Sequence, residues 1–209
     1  MGTDPVGWHV VLVVGMSRGL GAALIAAAVV LSGCGADDGE DTTTSPPPEA
    51  SVNPWDLPLE ERPELFDPCA EIPVEAVEEA LGGPVEPDEL LHNHRPNELH
   101  TCGWKNDEAL IGVVGTWKSQ QEFLTDPEFG PMDTESNVYG RPGFRTSDRN
   151  DQFDSSCYQI FFTPEGAVVV NVVLLKTMGQ YRGQNFTKSC DVLDDVLQPI
   201  MAFIPEEEF

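Results

Sequence analysis

Five cysteines, spread widely over 209 residues, constrain the fold of this chain more than any other feature. Cys34 closes an apolar run near the N-terminus, and the other four are Cys69, Cys102, Cys157 and Cys190. In an exported protein an even number of cysteines indicates disulfides, and four cysteines allow three pairings. Whether these four cysteines form disulfides therefore depends on whether the chain is exported.

The segment before Cys34 has the features of an export signal. Arg18 precedes an apolar run over residues 19–31, which is short for a membrane-spanning helix but typical of a signal-peptide core. The four residues 31–34, Leu-Ser-Gly-Cys, resemble the bacterial lipobox, in which the cysteine sulfur receives a diacylglycerol and cleavage leaves that cysteine first. We therefore expect residues 1–33 to be a lipoprotein signal peptide and Cys34 to be the lipid anchor. A plain secretory peptide with a free cysteine is the alternative.

The first fifteen residues do not fit the basic start of such a signal. Asp4 is acidic, and Arg18 follows a first apolar stretch rather than preceding it. We therefore expect translation to begin at Met16; a long signal with an unusual start is the alternative.

The charge balance excludes several kinds of partner. The chain has 36 acidic and 11 basic residues, a formal net charge of −25. Nucleic-acid binding rests on Lys and Arg that neutralise phosphates, and adhesion to anionic lipid headgroups also needs basic residues. We therefore expect no nucleic-acid partner, and any membrane contact should be hydrophobic or covalent. The lipid on Cys34 is the expected anchor, at the outer face of the cell membrane.

Composition divides the mature chain into a tether and a domain. Residues 34–66 are rich in Asp, Glu, Thr and Pro and poor in large apolar side chains, so they predict a disordered linker. Residues 67–209 have the apolar periodicity of a folded domain. We expect one extracytoplasmic domain there.

The pattern within residues 67–209 predicts an α+β fold, with an antiparallel β-sheet packed against short helices and a C-terminal helix. Residues 119–122, Ser-Gln-Gln-Glu, form a capping-box pattern that opens a short helix. The remaining predicted elements are a helix over 73–82 with Val74, Val77 and Leu81 buried, strands over 101–105 and 109–117, a hairpin of 157–163 with 167–176, and a helix over 187–203 that Pro199 should kink.

These elements favour one disulfide pairing. Cys102 and Cys157 lie on predicted strands, whereas Cys69 and Cys190 lie at or within segments that become neighbouring helices. We therefore predict Cys69–Cys102 and Cys157–Cys190, each stabilising the fold by about 3–4 kcal/mol in the chain-entropy view. Zinc ligation by the four cysteines is the alternative, but the chain has no Cys-x-x-Cys pair.

Sparse motifs around the cysteines suggest a family. They are Asp67-Pro68-Cys69, Cys102-Gly103-Trp104, and a third and fourth cysteine that flank a strand hairpin and a C-terminal helix, all behind a lipobox. This arrangement, over most of residues 65–205, resembles the actinobacterial lipoproteins grouped as the domain of unknown function 3558. The resemblance implies an anchored extracytoplasmic domain with no assigned chemistry and no catalytic residues.

Three histidines are the candidate metal ligands. His92, His94 and His100 are close in sequence, and His-x-His on a strand would place both rings on one face. However, residues 91–98 contain Asn93, Pro96 and Asn97 and predict a solvated loop. We therefore expect exposed loop histidines, no metal site and no cofactor.

No catalytic signature is present. The chain lacks both Gly-x-Ser-x-Gly and a serine followed three positions later by lysine. This favours a non-catalytic binding module for an unknown envelope ligand or protein partner. The alternatives are an envelope hydrolase with an unrecognised active site and a structural cell-wall protein.

The contact residues of such a module are sought among exposed aromatic and basic side chains. Trp104 and Trp117 lie on predicted strands and should fill the core. Tyr139, Arg141, Phe144 and Arg145 lie in a segment that contains Gly and Pro, so we expect them to form the contact surface.

Overall fold

A single antiparallel sheet forms the centre of the domain. The computed structural model describes residues 52–175 and 179–206. Cys34, the predicted signal peptide and most of the predicted tether lie outside the described residues. All the described folded elements belong to one compact unit.

The described residues form ten strands, eight of them in the main sheet. The order in this sheet is β1-β3-β4-β8-β7-β6-β5, and β2 also pairs with β3. β9 and β10 form a separate two-stranded hairpin. The strands are β1 (Glu86–Pro87), β2 (Asn93–Arg95), β3 (Leu99–Lys105), β4 (Ala109–Thr116), β5 (Asp133–Val138), β6 (Arg141–Thr146), β7 (Ser156–Thr163), β8 (Gly166–Leu174), β9 (Gln180–Tyr181) and β10 (Gln184–Asn185).

The described residues also form four α-helices. They are α1 (Pro68–Glu71), α2 (Val74–Leu81), α3 (Gln120–Thr125) and α4 (Cys190–Ile200). The predicted α+β class, with an antiparallel sheet and a C-terminal helix, is confirmed. The capping box of α3 is also confirmed, because Ser119 Oγ accepts from the Glu122 N–H and the Glu122 carboxylate accepts from the Ser119 N–H.

The β7–β8 hairpin has the predicted form. β8 is almost wholly apolar because it lies between β4 and β7 and is covered on both faces. Full antiparallel pairing runs from Ser156 opposite Val173 to Thr163 opposite Gly166. This hairpin is therefore the middle of the sheet.

α2 and α4 pack together on one face of the sheet, which we call the helical face. α2 ends at Gly82, whose φ of 75° is the left-handed conformation of a helix C-cap. The predicted buried stripe of α2 is wrong at Val74, which is 44% exposed, because the buried stripe runs along Ala76, Val77, Ala80 and Leu81. In α4, Pro199 lies in the last turn, and the chain continues as a 3-10 turn from Met201.

Aromatic side chains cover much of the opposite face, which we call the aromatic face. The ring of Phe162 lies at its centre, 5.0 Å from Phe144 and 6.0 Å from Phe123 between centroids. Trp55 closes one side and lies 5.0 Å from Trp117 in an edge-to-face contact. Trp104 and Trp117 are both buried, as predicted.

The packed chain begins before residue 67. Leu65 and Phe66 are 2% and 1% exposed, and the Phe66 N–H donates to the carbonyl of Glu165 in the β7–β8 turn. The Trp55 indole N–H donates to the carbonyl of Thr163 over 3.0 Å. Residues 53–66, which composition assigned to the tether, are thus fixed to the sheet, because a few apolar side chains suffice to dock an otherwise acidic segment.

The structure also contains a hairpin, β5–β6, in the segment that we predicted to be a contact surface. β5 and β6 pair around a turn at Tyr139 and Gly140, where φ is 52° and 88°. Two consecutive positive φ angles are typical of the tight turns that match strand twist. Among the described residues, no helix is long and apolar enough to cross a membrane.

Candidate functional site

Both predicted disulfides are confirmed. The Cα atoms are 5.3 Å apart in Cys69–Cys102 and 5.0 Å apart in Cys157–Cys190. The first bond ties α1 to β3, and the second ties α4 to β7. Each therefore fixes a helix to a strand of the sheet.

Three of the four predicted contact residues instead join the sheet to α4 and the C-terminal segment. The Tyr139 hydroxyl donates to the Asp194 carbonyl over 3.0 Å. Arg141 donates to the carbonyls of Ile204 and Pro205. The side chains of Arg141 and Arg145 are both partly buried. Each guanidinium has hydrogen-bond partners within the protein.

Arg145 has the same kind of internal role. Its Nε donates to Gln159 Oε1 over 3.0 Å, and its guanidinium forms an ion pair with the Asp194 carboxylate. Successive residues of a strand face opposite sides of the sheet, so Phe144 points to the aromatic face instead, against Phe162. The structure therefore separates Phe144 from the other three, and the expected common contact surface is not formed.

A cleft lies beside α3 on the border of the aromatic face. Its volume is about 510 Å³, within the range of small-molecule sites. Apolar side chains supply most of its walls, and two charged groups lie at its edge. The lining residues are Phe123, Leu124, Asp126, Gly130, Pro131, Met132 and Arg149.

The charges around this cleft are held in place by neighbouring groups. Partial burial of Asp126 opposes its ionisation, but hydrogen bonds from Lys118 and the Glu128 N–H lower its pKa overall. The Lys118 ammonium also lies 4.8 Å from the centroid of the Phe123 ring. Arg149 Nε donates to the Phe129 carbonyl over 2.9 Å. The cleft thus combines apolar walls with a fixed carboxylate and a fixed guanidinium.

The three histidines are not all exposed loop residues. His92 and His94 are exposed, but His100 is buried, with an exposed fraction of 2%. His94 lies on β2 and is the cross-strand partner of His100 on β3. Their rings stack with centroids 3.9 Å apart and an interplanar angle of 17°.

Asp67 joins this pair, although it is not among the site residues predicted from the sequence. Its Oδ1 accepts from the Cys69 N–H over 3.0 Å at the N-terminus of α1, and its Oδ2 lies 3.7 Å from His94 Nδ1. One signal in the sequence indicates the histidine pair: His94 and His100 each lie three positions from Asn97, a residue type that is common in turns. In the structure the φ of Asn97 is 61°, which fits a tight turn. No local pattern indicates Asp67, because α1 reaches the site through the fold.

His92 belongs to a different group of side chains. Its Nε2 lies 3.2 Å from the Gly103 carbonyl oxygen and 3.4 Å from Cys102 Sγ. Because the sulfurs of Cys69 and Cys102 are bonded to each other, they are not the thiolates that bind metal ions. His92, Cys69 and Cys102 therefore do not make a metal site in the oxidised protein.

Comparison with known proteins identifies the family. Residues 29–201 match the family described as "Protein of unknown function (DUF3558)". No curated protein and no solved structure matches the chain. Since the match spans most of the sequence, the chain belongs to the DUF3558 family of proteins of unknown function.

Proposed function

We propose that this protein is a lipoprotein anchored through Cys34 at the outer face of the cell membrane. We propose further that its domain is a non-catalytic binding module for a cell-envelope ligand or protein partner. The observation that carries the binding proposal is the cleft of about 510 Å³ beside α3.

Export is supported by the two disulfides. Disulfides persist in oxidising compartments outside the cytoplasm and are rare within it. The Leu-Ser-Gly-Cys sequence at 31–34 supports lipidation, and the family match, over residues 29–201, includes it. A net charge of −25 disfavours electrostatic adhesion to anionic lipids, but it does not oppose attachment through a covalent lipid.

The composition of the cleft supports ligand binding. Phe123, Leu124 and Met132 offer apolar surface, and the polar lining consists of Arg149 and of Asp126, whose carboxylate is paired with Lys118. Sites for small molecules combine apolar walls with a few fixed polar groups in this way. The chemistry fits a ligand that has both an apolar part and a polar part.

Membrane fractionation tests the anchor. Cys34→Ala should move the protein from the membrane fraction to the soluble exported fraction and abolish labelling by a radioactive fatty acid. Ser45→Ala, in the predicted tether, is the control and should change neither. If Cys34→Ala stays with the membrane, the proposed anchor is wrong.

Mass spectrometry of molecules that co-purify with the detergent-extracted protein tests binding. Leu124 lines the cleft and is 48% exposed, so Leu124→Asp should spoil the apolar wall while leaving the fold intact. Leu90→Asp is the matched control, because Leu90 is 93% exposed and does not line the cleft. We expect a co-purifying species that Leu124→Asp loses and Leu90→Asp keeps.

Two outcomes would contradict the binding proposal. Loss of the species in both variants, or in neither, would exclude the cleft as its site. Turnover of an ester, peptide or glycan by the purified protein, abolished by one substitution, would replace the binding module by an envelope hydrolase.

A further inference from the structure

His100 is a buried imidazole without a hydrogen-bond partner. Among the described residues, neither its Nδ1 nor its Nε2 donates or accepts a hydrogen bond, although only 2% of the residue is exposed. Buried polar groups in native proteins are almost always satisfied, since an unsatisfied one costs free energy. The two unsatisfied nitrogens of this buried ring therefore point to a ligand that the ring binds.

Two further ligand atoms lie beside it. One donor atom each from Asp67, His94 and His100 lies within 4.8 Å of the other two. We propose that these three side chains bind a divalent transition-metal ion of the Zn²⁺ class. This reverses the expectation from sequence, which treated the histidines as loop residues and assigned no metal.

The fold holds two of the three ligands firmly. Asp67 lies two positions before Cys69, and His100 lies two positions before Cys102, so the Cys69–Cys102 disulfide fixes α1 and β3 next to both. The Asp67 carboxylate also caps α1 through Oδ1, which leaves Oδ2 directed towards His94. His100 is held by burial. The site is thus built on the sheet and a helix terminus, not on a free loop.

His94, the third ligand, must turn its ring for all three side chains to bind one ion. Zn²⁺ binds imidazole nitrogen at about 2.0–2.1 Å, so two nitrogens in a tetrahedral site are about 3.3 Å apart. Stacked rings direct their lone pairs side by side, and binding therefore needs one ring to turn towards the other's nitrogen. His94 can do this, because 54% of its side chain is exposed.

The donor set selects the class of ion. Two imidazole nitrogens and one carboxylate oxygen suit Zn²⁺ and neighbouring transition metals, whereas Mg²⁺ and Ca²⁺ prefer oxygen ligands throughout. Three protein ligands leave a fourth position open to solvent on the exposed side of His94. The strongly negative chain also raises the local concentration of cations.

The test is Zn²⁺ binding to the purified full chain with its disulfides formed, measured by calorimetry, with Mg²⁺ as the comparison ion. One Zn²⁺ should bind per chain, and Mg²⁺ should not compete. Asp67→Asn keeps a residue that caps helices but removes the charge, and His94→Ala removes an exposed ring. Each should weaken Zn²⁺ binding at least about tenfold. His92→Ala is the matched control and should leave the affinity unchanged.

A spectroscopic readout makes the test independent of stability. In Co²⁺-loaded protein, His94→Ala should change the visible spectrum, and His92→Ala should not. Failure of the wild-type chain to bind Zn²⁺, or equal weakening by His92→Ala and His94→Ala, would overturn the site. The site is separate from the cleft beside α3, so this result and those of the fractionation and co-purification experiments can each fail alone.

Discussion

The carbonyl oxygen of Phe66 lies against Gly115 of β4, where a β-carbon would come within 2.2 Å of it. Gly115 is also the cross-strand partner of His100. The missing side chain lets the segment before α1 approach the sheet closely, and this approach brings Asp67 to the two histidines. A glycine near the end of a strand thus positions the carboxylate of Asp67 at the start of α1.

We expect Gly115→Ala to destabilise the protein. The new methyl group would displace the Phe66 carbonyl, and overpacking of this kind costs about 1–3 kcal/mol. Urea unfolding followed by tryptophan fluorescence measures the loss. Gly83→Ala is the control, because a β-carbon there meets no atom within 4 Å. Equal stabilities for the two variants would contradict the packing described here.

Trp55→Ala tests whether residues 53–66 belong to the domain. The substitution removes the hydrogen bond to Thr163 and the contact with Trp117, and since Trp55 is only partly buried we expect a loss of about 1–3 kcal/mol. Leu59→Ala, an exposed change in the same segment, should have little effect. If the Trp55→Ala variant is as stable as the wild type, residues 53–66 do not contribute to the folded domain.

Asp151 should contribute stability that depends on pH. Partial burial opposes its ionisation, but hydrogen bonds from the Phe153 N–H, Ser156 and Ser155 lower the pKa overall. A carboxyl whose pKa is lowered by folding stabilises the protein above its unfolded pKa, and this contribution is lost as the pH falls through the folded value. We expect Asp151→Asn to cost about 1–2 kcal/mol at pH 7 and progressively less below about pH 4.

Thermal melts of Asp151→Asn across this pH range measure the effect. Asp107→Asn, at an exposed position in the β3–β4 turn, provides the comparison. A difference between Asp151→Asn and wild type that is the same at pH 3 and pH 7 would exclude the ionised carboxylate as its cause.

Glu165 should show the opposite sign. Partial desolvation and the charge of Glu71 raise its pKa, so the folded protein binds this proton more tightly than the unfolded chain does. Above the folded pKa the ionised carboxylate therefore costs stability, and below its unfolded value there is no cost. We expect Glu165→Gln to raise the midpoint of thermal unfolding at pH 7. The gain in the free energy of unfolding should be under about 1 kcal/mol, because the side chain is exposed.

Glu71→Gln should stabilise the protein in the same direction, since it removes the other charge of the pair. Glu75→Gln, an exposed change on α2, should not. Destabilisation by Glu165→Gln at neutral pH would show that the ionised carboxylate has a stabilising partner.

The two disulfides should differ in their resistance to a reductant. Cys69 is exposed, whereas Cys157 is fully buried and Cys190 only partly exposed. Thiol–disulfide exchange requires access to a sulfur atom, so limited reduction should open Cys69–Cys102 first. Brief treatment, alkylation and peptide mapping give the order. Modification of Cys157 before Cys69 would contradict it.

The sequence predicted those parts of the fold in which a local pattern carries the information. The apolar run of β8 predicted a central strand, and the four cysteines predicted their pairing through the elements that carry them. The β5–β6 hairpin was missed because Tyr139 and Gly140 do not form one of the usual Asn-Gly or Asp-Gly turns and because Pro142 lies within β6.

The candidate sites were less predictable, because contacts over long sequence separations create them. Arg141 and Arg145 had the composition of a contact surface, but the arrival of α4 and residues 204–205 gives their side chains internal partners. Asp67 meets His94 and His100 only because β2 folds back on β3 and α1 is bonded to Cys102. No spacing along the chain specifies that meeting.

The positions of the two disulfides give the molecule a covalent architecture of its own. Each bond joins cysteines 33 positions apart, and the two closed loops, 69–102 and 157–190, do not overlap. The chain is thus two rings in series, linked by an open stretch over residues 103–156. In the folded state the pairing of β4 with β8 holds the second ring to this stretch. A single peptide-bond cut anywhere in the stretch would therefore leave two fragments that share no covalent bond, and denaturation would separate them even without a reductant.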